Sequence, residues 1–503
     1  MTMSTRQTVL NFSGNDTAGL AGLAMDIKVQ SVFEVHSATI VTANTAQNNA
    51  AVISVNCVAD AVFQDQLEAV DKLSIAAVKV GLIGSKTQAE KIKIFVEEKK
   101  LPLIFDPVLS SSSGASFIDE SFLLFLKKQL LPCTTLLTPN IMEAEALTNL
   151  KIKTRDDIVR AAESLLALGV GSVLIKGGHF DCSSQQDVVQ DYFSDGVMSF
   201  WLSNQKIATQ NSRGTGCAFA SAIASSIAGG YALYDAVVIA KMAVSQGLRQ
   251  AYTVGKMAGV GDTAHSYGPV NITHFPCDQI DLPLLTHNPI NSLATPASPE
   301  CNQPLLGLYP VVDRAEWITR LAETGVSTMQ LRVKDLVGDE LEREIKLAIE
   351  LGYRHNCRLF INDYWFLAIK HKAYGVHLGQ EDLNDANVGA IKEAGLRLGI
   401  STHCHYEVAR AHSYKPSYIA CGPVYHTTTK DMPWVPHGLK GLSYWRGVLN
   451  YPLVAIGGIN SDRFGPIAAT GVDSVAMITA ITLAEDPCRE AISYMKKFED
   501  AQF

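Results

Sequence analysis

Apolar runs alternate regularly with amphipathic segments along the second half of the chain. The runs are nearly continuous in apolar residues, which is typical of parallel strands buried on both faces. Segments of helical period, such as RAEWITRLAETG, separate them. Eight strands alternating with helices predict a closed (β/α)8 TIM barrel, in which the active site lies at the carboxyl ends of the strands. The predicted strands are LYPVVD (308–313), TMQLRVK (328–334), RLFIND (358–363), YGVHLG (374–379), RLGIST (397–402), YIACGPV (418–424), PLVAIGG (452–458) and SVAMIT (474–479).

The first half of the chain has the same two kinds of segment in a less regular order. A hairpin-like pair, VVQDYFSDGVMSFW, interrupts the alternation at Asp195-Gly196, a dipeptide typical of tight β-turns. This order favours an α/β domain with a mostly parallel open sheet covered by helices. The predicted strands are QTVLNFSG, SATIVTAN, AAVKVGLIG, LPLIFDP, TTLLTPN and SVLIKGG.

Residues 276–304 separate the two halves. This stretch is rich in Pro, Asn and Ser and has no sustained helical or strand period, which is typical of a linker. We therefore expect a first domain at 1–275, a linker at 276–304 and a second domain at 305–503. Each of the two domains is large enough for its own core.

Composition narrows the class of protein. The 503 residues are 47% hydrophobic with a net charge of −8, and no Lys- or Arg-rich run provides the surface of a nucleic-acid binder. The sequence shows no secretory leader and no apolar run of membrane-spanning length, so no membrane partner is expected. Ten cysteines are scattered without a CxxC pair, which indicates free thiols and predicts a cytoplasmic protein.

Two neighbouring strands of the predicted barrel lead into an acid. Asp363 ends the third strand and Asp382 lies just after the fourth, so the barrel geometry places both carboxylates on one rim. Adjacent carboxylates repel unless a proton or a cation lies between them, and hard oxygen ligands suit Mg²⁺. We predict a Mg²⁺ site at Asp363 and Asp382; the alternative is that each acid caps a helix.

The same rim carries cations and hydroxyl groups. Arg332 and Lys334 end the second strand, and Lys430 follows the sixth. Glycines after the seventh strand and a threonine after the eighth match the phosphate-binding corner of barrel enzymes. With the predicted metal, these groups suggest a diphosphate leaving group beside a phosphorylated second substrate. The corner and the Thr-rich loop comprise Thr427, Thr428, Thr429, Gly457, Gly458 and Thr479.

In the first half, Gly214-Thr215-Gly216 immediately precedes a helix-like segment. Glycines there let backbone N–H groups converge at a helix N-terminus, which makes an anion hole for a phosphoryl group. Cys217 lies at the helix start, where its thiolate is favoured. The alternatives are plain turn chemistry for the glycines and a packed core thiol for Cys217.

One further segment, THCHYEVARAH (402–412), contains residue types that bind transition metals: His403, Cys404, His405 and His412. Their spacing is looser than that of established zinc motifs. A structural role for these side chains is therefore the simpler interpretation.

The second half resembles thiamine phosphate synthases through GLYPVVD, QLRVKD, LFINDYWFLAIKHKAYGVHLGQEDL, LGISTH, TTTKDMPW and VAIGGI, which occur in the family's order within 306–485. The resemblance implies a barrel that joins hydroxymethylpyrimidine diphosphate to a thiazole phosphate and releases pyrophosphate. It also implies Mg²⁺ at Asp363 and Asp382, with Arg332, Lys334 and Lys430 as catalytic cations. The implied ligands of the pyrimidine diphosphate are Gln330, Leu331, Arg332, Val333, Lys334, Asn362, Ser401 and Lys430, and those of the thiazole phosphate are Thr427, Thr428, Thr429, Gly458, Ile478 and Thr479.

The first half resembles phosphomethylpyrimidine kinases of the ribokinase superfamily through GNDTAGLAGLAMDIK (14–28), TAQNN (45–49), FDPV (105–108), LTPNIMEAEAL (137–147), LIKGGH (174–179) and GTGC. The resemblance implies a ribokinase-like three-layer α/β/α fold and phosphorylation of hydroxymethylpyrimidine and its phosphate, with ATP as co-substrate. It also allows a homo-oligomer formed through this domain. By motif, Asp26 and Gln47 would contact the pyrimidine, Asn140, Glu143 and Lys176 would serve Mg-ATP, Gly214 and Gly216 would form the anion hole, and Cys217 would be the base.

The glycine loop GNDTAGLAG departs from the family pattern, because Leu20 stands where glycine usually allows close backbone approach.

Our preferred hypothesis is a bifunctional enzyme of thiamine biosynthesis, whose first domain makes the diphosphate that the second consumes. One rival makes the first domain a pyrimidine-binding module without kinase activity on an active synthase. Another makes the barrel a thiazole tautomerase-like or regulatory relative, which the intact cations and acids of the rim oppose. Further departures are Ser112 for Lys, Met142 for Pro and Arg213 for His.

Overall fold

The computed structural model describes residues 5–47, 52–109, 119–178, 187–254, 268–303, 305–426 and 436–502. The chain divides into two compact units. The first comprises Met1–Pro276 and Asp281–Leu293, and the second comprises Cys277–Ile280 and Ala294–Phe503. In the part of the chain that the structure describes, no helix has both the length and the apolar character needed to cross a membrane.

The first unit is built on one sheet. Its strands are β1 (Thr8–Asp16), β2 (His36–Gln47), β3 (Val52–Cys57), β4 (Ile75–Val80), β5 (Leu103–Phe105), β6 (Leu136–Leu137), β7 (Val173–Ile175), β8 (Val188–Ser194), β9 (Ser199–Gln205) and β10 (Leu284–Thr286). Among the described residues they lie in the order β10-β9-β8-β7-β6-β5-β4-β1-β2-β3. The central strands from β7 to β2 are parallel, whereas β3 and β8 to β10 are antiparallel to their neighbours.

Helices cover both faces of this sheet. They are α1 (Gly22–Val32), α2 (Asp60–Val70), α3 (Lys86–Lys99), α4 (Glu120–Phe125), α5 (Ile141–Thr148), α6 (Arg155–Leu166), α7 (Thr215–Ala228) and α8 (Leu233–Arg249). Helix α7 packs against α1, α8 and the central strands. Side chains from α2 to α6 join strand residues such as Phe12 and Phe105 in a separate hydrophobic core. The sheet therefore lies between two helical layers, which confirms the three-layer α/β/α fold.

Most strands of the first unit coincide with apolar runs of the sequence. The hairpin of β8 and β9 turns at Asp195-Gly196, where the Asp195 carboxylate accepts hydrogen bonds from the backbone N–H groups of Val197 and Met198. The edge strand β3 was not predicted from the sequence. Strand β10 lies within the stretch predicted as a linker and pairs with β9, so part of that stretch belongs to the sheet.

In the described part of the second unit, eight parallel strands close into a barrel, which confirms the predicted TIM barrel. The strands are β11 (Gly307–Val312), β12 (Thr328–Leu331), β13 (Arg358–Asn362), β14 (Gly375–Leu378), β15 (Arg397–Thr402), β16 (Tyr418–Cys421), β17 (Leu453–Ile456) and β18 (Ser474–Met477). The helices are α9 (Glu316–Ala322), α10 (Gly338–Arg354), α11 (Trp365–Lys370), α12 (Val388–Glu393), α13 (His405–Ser413), α14 (Gly438–Val448), α15 (Ser461–Ala468), α16 (Thr479–Thr482) and α17 (Pro487–Gln502).

Aromatic side chains occupy the barrel interior. Tyr309, Phe360 and Tyr418 are fully buried, and their rings meet at tilted or edge-on angles with centroids 5.1–6.0 Å apart. Such geometries add to the stabilisation from buried area alone. The interior is therefore a packed core, and the space for ligands lies above it, at the carboxyl ends of the strands, called the rim below.

Candidate active sites

The structure brings Asp363 and Asp382 together at the rim of the barrel. Asp363 follows β13 with a φ of +65°, a left-handed conformation that Asp tolerates better than most residues, and its N–H donates to the carbonyl of His377. Asp382 accepts a hydrogen bond of 3.0 Å from the N–H of Gly379. Burial, the charge of Asp363 and a hydrogen bond between the two side chains raise the pKa of Asp382.

This pair of acids fits a divalent cation. Two carboxylates in hydrogen-bonding contact cannot both be ionised at low cost without a positive charge beside them. Lys334 supplies one such charge, with its Nζ 2.5 Å from an oxygen of Asp363. Carboxylate oxygens are hard ligands, which Mg²⁺ accepts.

Five of the predicted cations and pyrimidine ligands lie along one side of the rim, namely Gln330, Arg332, Lys334, Asn362 and Ser401. Gln330 is buried at the end of β12, and Arg332 and Lys334 follow it with increasing exposure. Leu331 and Val333 alternate with them and are buried in the core. This alternation places Gln330, Arg332 and Lys334 on the ligand side. Asn362 lies at the end of β13, and Ser401 lies near the end of β15.

The glycine corner after β17 has no room for side chains. Gly457 and Gly458 have φ values of +98° and +68°. A Cβ on Gly458 would lie 2.6 Å from the carbonyl oxygens of Tyr425 and His426. Arg463, which sequence reasoning missed, donates from its guanidinium to the carbonyl of Gly458 at 2.7 Å and lies over the ring of Tyr425.

The other predicted ligands of the thiazole phosphate divide into two groups. Ile478 and Thr479 lie directly after β18, and Thr479 is exposed. The Thr-rich loop, with Thr427, Thr428, Thr429 and Lys430, falls outside the described residues.

A chain of buried hydrogen bonds connects two predicted pyrimidine ligands through the barrel interior. The amide nitrogen of Gln330 lies 3.5 Å from the Tyr309 hydroxyl, which lies 2.8 Å from the Tyr418 hydroxyl. The imidazole of His377 contacts Tyr418 at 2.7 Å and Ser401 at 2.8 Å. Burial lowers the pKa of His377 to about 4, so its imidazole is neutral near pH 7.

Three members of this chain were missed by sequence reasoning: Tyr309, His377 and Tyr418. A signal existed, since His377 interrupts the apolar run YGVHLG. His377, Gly399 and Tyr418 are in register across β14, β15 and β16. A Cβ on Gly399 would lie 2.1 Å from the Tyr418 ring, so the glycine leaves the space through which the tyrosine reaches His377.

The histidine-rich segment at 402–412 has local structural contacts. His403 bonds to Glu407 at 2.6 Å, His405 to Tyr444 at 3.2 Å and His412 to Tyr451 at 2.9 Å. Within the described ranges, no group of three or more His, Cys, Asp or Glu side chains is arranged to hold a metal ion. These contacts are consistent with a structural role for the three histidines.

In the first unit, the Gly-Thr-Gly loop lies beside an ion pair. Gly214 has a φ of +76° and precedes α7. A Cβ on Gly216 would lie 3.2 Å from Lys176 Nζ and 3.3 Å from a carboxylate oxygen of Asp106. Lys176 and Asp106 form an ion pair of 2.6 Å. The structure thus brings together the predicted anion hole, the predicted ATP-binding lysine and Asp106, an acid at a strand end that sequence reasoning did not select.

Asn140 and Glu143 form a reciprocal capping box at the start of α5. The Asn140 side chain accepts from the N–H of Glu143 at 2.9 Å, and Glu143 accepts from the N–H of Asn140 at 2.7 Å. Burial raises the pKa of Glu143 to about 7, against the opposing charge of Lys176. Both residues therefore lie near the Lys176 ion pair while they also cap a helix.

Cys217 is half-buried in the first turn of α7. Burial raises the pKa of its thiol to about 11, although the charge of Lys79 acts in the opposite direction. The expectation that the helix start favours the thiolate is therefore wrong for this structure, because the cost of desolvating the thiolate is the larger effect.

Asp26 has no exposed surface and forms an ion pair of 2.9 Å with Lys79, which is equally buried. Its oxygens also accept hydrogen bonds from Ser13 at 2.8 Å and from Ser221 at 2.7 Å. Asp26 therefore connects α1 to β1, β4 and α7. Gln47, the other predicted pyrimidine contact, is half-buried at the end of β2.

The altered glycine loop is ordered around Asp16. Its carboxylate accepts hydrogen bonds from the N–H groups of Ala18, Leu20 and Ala21 at 2.9–3.1 Å. Leu20 is buried, and a Cβ on Gly214 would lie 2.4 Å from the Leu20 carbonyl oxygen. The leucine that departs from the family pattern therefore packs inward, and its backbone still approaches the Gly-Thr-Gly loop closely.

Comparison with known proteins assigns the two units. The family described as "Phosphomethylpyrimidine kinase" matches residues 16–262, and the family described as "Thiamine monophosphate synthase" matches residues 308–481. A thiamine-phosphate synthase of Serratia proteamaculans is 58% identical over 182 residues, which is 36% of this chain and 86% of that protein. One of Photorhabdus laumondii is 60% identical over 184 residues, 36% of this chain and 84% of that protein.

A crystal structure of a phosphomethylpyrimidine kinase from Clostridium difficile 630 is 31% identical, covers 48% of this chain and 98% of its own, and superposes with a TM-score of 0.42. The synthase relatives match the barrel nearly throughout their own length, and the kinase family matches the first unit. The chain therefore belongs to the thiamine-phosphate synthase family through its barrel and carries a phosphomethylpyrimidine kinase domain in its first unit.

Proposed function

We propose that the barrel condenses hydroxymethylpyrimidine diphosphate with thiazole phosphate to give thiamine phosphate and pyrophosphate. The first unit supplies the diphosphate by phosphorylating hydroxymethylpyrimidine and then its phosphate with ATP. The observation that supports the synthase assignment most strongly is the contact between Asp363 and Asp382 beside Lys334, on the rim where a diphosphate would bind.

Asp363 and Asp382 would hold Mg²⁺, which would neutralise charge on the bound diphosphate. Lys334 and Arg332 lie on the same rim and would hold the oxygens of the leaving group. As the carbon–oxygen bond to pyrophosphate breaks, negative charge grows on those oxygens, and positive groups already in place stabilise it. The ring nitrogen of the thiazole then forms the new bond to the same carbon.

The protein contributes mainly by positioning the two substrates. Asn362 and Ser401 lie at strand ends where they would bind the pyrimidine, and the Gly457-Gly458 corner offers backbone N–H groups to the thiazole phosphate. Holding both reactants in a productive geometry accounts for a large part of the rate that such a site achieves.

In the first unit, Lys176 and the Gly-Thr-Gly loop would hold the phosphates of ATP, because the loop lies beside the Lys176 ion pair at the start of α7. Glu143 and Asn140 lie near this pair and would serve the Mg-ATP complex. Burial raises the pKa of Cys217, so its side chain is a thiol near neutral pH and does not favour the role of base that the resemblance implies.

One experiment tests both assignments. The intact chain receives hydroxymethylpyrimidine, Mg-ATP and thiazole phosphate, and each product is followed by mass spectrometry. We expect Asp363→Ala to reduce thiamine phosphate formation at least about 100-fold, an effect typical of removing a charge that acts in the transition state, while the pyrimidine diphosphate accumulates. Asp385→Ala changes an exposed acid in the loop after β14, three residues beyond Asp382, and should leave synthesis near normal. Near-normal synthesis by Asp363→Ala would contradict the assignment of the rim.

A further inference from the structure

We propose that Arg463 is a positioning residue for the phosphate of the second substrate. Its guanidinium group holds the Gly457-Gly458 corner in the conformation that presents backbone N–H groups to a ligand, and it adds a positive charge there. The part of this inference that concerns the substrate rests on the proposed synthase function. The geometry of the corner does not, because it involves protein atoms alone.

Arg463 occupies a position in α15 where a positive charge is locally unfavourable. Asn460 is the N-cap of this helix, and its side chain accepts a hydrogen bond of 3.1 Å from the N–H of Arg463. The amino end of a helix carries partial positive charge and favours acidic side chains, and Glu or Gln is typical of this position in a capping box. A residue that contradicts its local environment indicates a compensating contact elsewhere.

That contact is the carbonyl group of Gly458. Nη1 of Arg463 donates to its oxygen at 2.7 Å. A guanidinium group only donates and a carbonyl oxygen only accepts, so this hydrogen bond has one possible direction. The peptide bond after Gly458 is trans, so the N–H of Ile459 points opposite to that carbonyl and away from Arg463. Arg463 therefore fixes the orientation of a peptide plane of the corner.

The backbone donors of this corner are available to a ligand. In the part of the chain that the structure describes, the N–H groups of Gly458 and Ile459 donate to no protein acceptor. Successive N–H groups in a turn with a left-handed residue form a concave site that binds anions. The two donors converge on a ligand only while the turn keeps its shape, which is why the contact from Arg463 matters for binding.

Tyr425 holds the same corner through a second contact. The guanidinium carbon of Arg463 lies 4.6 Å from the centroid of its ring, and stacking on an aromatic ring restricts the planar group to one orientation. The N–H of Tyr425 donates to the carbonyl of Gly457 at 3.1 Å. Arg463 and Tyr425 therefore engage both carbonyl groups of the glycine pair.

The charge of Arg463 has no counter-ion among the described residues. No carboxylate there forms an ion pair with it, and the side chain makes one hydrogen bond, to Gly458. The residue is half-buried, so its charge is only partly screened by water. A phosphate group suits an arginine with free donors beside backbone N–H groups. The corner therefore favours a phosphorylated ligand over a neutral one.

Hydrogen exchange of the full chain without substrates, followed by mass spectrometry, tests the contact itself. The N–H groups of Val424 and Tyr425 donate to the carbonyls of Ile456 and Gly457. In Arg463→Met they should exchange about fivefold faster, the effect of losing one hydrogen bond that holds the turn. The matched control is Arg320→Met, which removes a guanidinium group stacked on Trp317 in α9 and should leave this exchange unchanged. Unchanged exchange in Arg463→Met would overturn the proposal.

Steady-state kinetics tests the consequence for the substrate. Arg463→Met should raise KM for thiazole phosphate about tenfold, the effect of one hydrogen bond to a charged group, and leave KM for hydroxymethylpyrimidine diphosphate nearly unchanged. A general loss of structure would raise both values. Tyr425→Leu should raise KM for thiazole phosphate less, and the double variant should show less than the product of the two single effects, because both changes act on one contact.

Equal increases in the two KM values, or no increase for thiazole phosphate, would refute a positioning role for Arg463. If the unsubstituted chain formed no thiamine phosphate, the synthase assignment would be wrong. The exchange measurement requires no catalysis, so it would still decide whether Arg463 holds the corner.

Discussion

Charged side chains without solvent exposure are the least expected residues of the first unit. Asp26 and Lys79 are both fully buried, and each is the counter-ion of the other. Burial is the largest single effect and acts to lower the pKa of Lys79, but the nearby negative charges, of which that of Asp26 is the largest, and the hydrogen bond to Asp26 together raise that pKa to about 12. Lys79 is therefore charged, and the carboxylate of Asp26 is its buried counter-ion.

We expect Asp26→Asn to lower the free energy of unfolding of the first unit by about 3–5 kcal/mol, because removing one partner leaves a buried charge without compensation. Denaturant unfolding of the full chain, followed through the transition of the first unit, measures this loss. Asp71→Asn breaks an exposed pair with Lys99 and should have little effect. Unchanged stability together with a raised KM for the pyrimidine would instead support the substrate contact that the family resemblance implies.

Residues at strand ends were easier to predict than residues inside strands. Asp363, Asp382 and Lys334 interrupt or follow apolar runs at places where barrel geometry gives them a common position, so their proximity could be predicted from sequence. Lys79 and His377 also interrupt apolar runs, but one polar residue in a buried strand does not reveal its partner. That partner lies on a segment remote in the sequence, and only the packing of the strands brings the two together.

At the scale of secondary structure, the register of β14, β15 and β16 determines what the barrel interior can contain. Gly399→Ala would place a Cβ 2.1 Å from the ring of Tyr418. We expect a loss of at least about 1–3 kcal/mol in the free energy of unfolding of the second unit, the usual effect of overpacking, and a displaced Tyr418. Thermal or denaturant unfolding of the full chain measures the loss.

The matched control for this variant is Gly447→Ala in α14, where the added Cβ meets no atom within 4 Å. Alanine favours a helix over glycine by about 0.5–1 kcal/mol, so this variant should be neutral or more stable. If Gly399→Ala behaved in the same way, the close approach of Tyr418 to β15 would be wrong.

Helix α13 contains the buried His405 and should make the second unit sensitive to acid. Burial, with a smaller contribution from His437, lowers the pKa of His405 to about 3, below its unfolded value of about 6.5. Between these values the unfolded chain binds more protons, so stability falls as the pH falls from about 6.5. We expect His405 to account for about 2 kcal/mol of the stability lost between pH 6.5 and pH 5.

The variant His405→Gln tests this contribution. Its free energy of unfolding should change less than that of the unsubstituted chain between pH 6.5 and pH 5, as measured by denaturant unfolding at each pH. His355→Gln replaces a half-buried histidine of the same unit and serves as the control. An identical pH dependence in His405→Gln and the unsubstituted chain would show that His405 is not buried as a neutral side chain.

Strands were predicted well where they are long and apolar, and poorly at the margins of the first sheet. All eight barrel strands coincide with predicted runs. Strand β3 has half-buried and exposed residues, and β10 has only three residues next to prolines. A short or solvated edge strand is defined by the partner to which it bonds, and its own sequence carries little of that information.

For the whole molecule, the two activities can be separated by substitution and recombined by mixing. A chain with Asp363→Ala should form the pyrimidine diphosphate without thiamine phosphate, and a chain with Lys176→Met should need supplied diphosphate. We expect an equimolar mixture of the two chains to form thiamine phosphate from hydroxymethylpyrimidine after a lag, because a released intermediate reaches the second chain by diffusion. Mass spectrometry of the mixture and of each variant alone measures this.

Two outcomes of the mixing experiment would contradict this expectation. If Asp363→Ala formed no diphosphate although it was folded and bound the pyrimidine, the first unit would be a binding module. If each variant performed its own half-reaction and the mixture made no thiamine phosphate, the intermediate would not leave the chain on which it forms. The Lys206→Met chain, changed at an exposed lysine of the first unit, is the control for Lys176→Met.

The backbone at Gly458 limits how this enzyme can be re-engineered. Because a Cβ there would collide with two carbonyl oxygens, that corner must present its main chain to whatever ligand it meets, and no point mutation can introduce a new side chain without refolding the turn. Attempts to widen or redirect substrate preference should therefore begin at Ile478, which is half-buried, and Thr479, which is exposed.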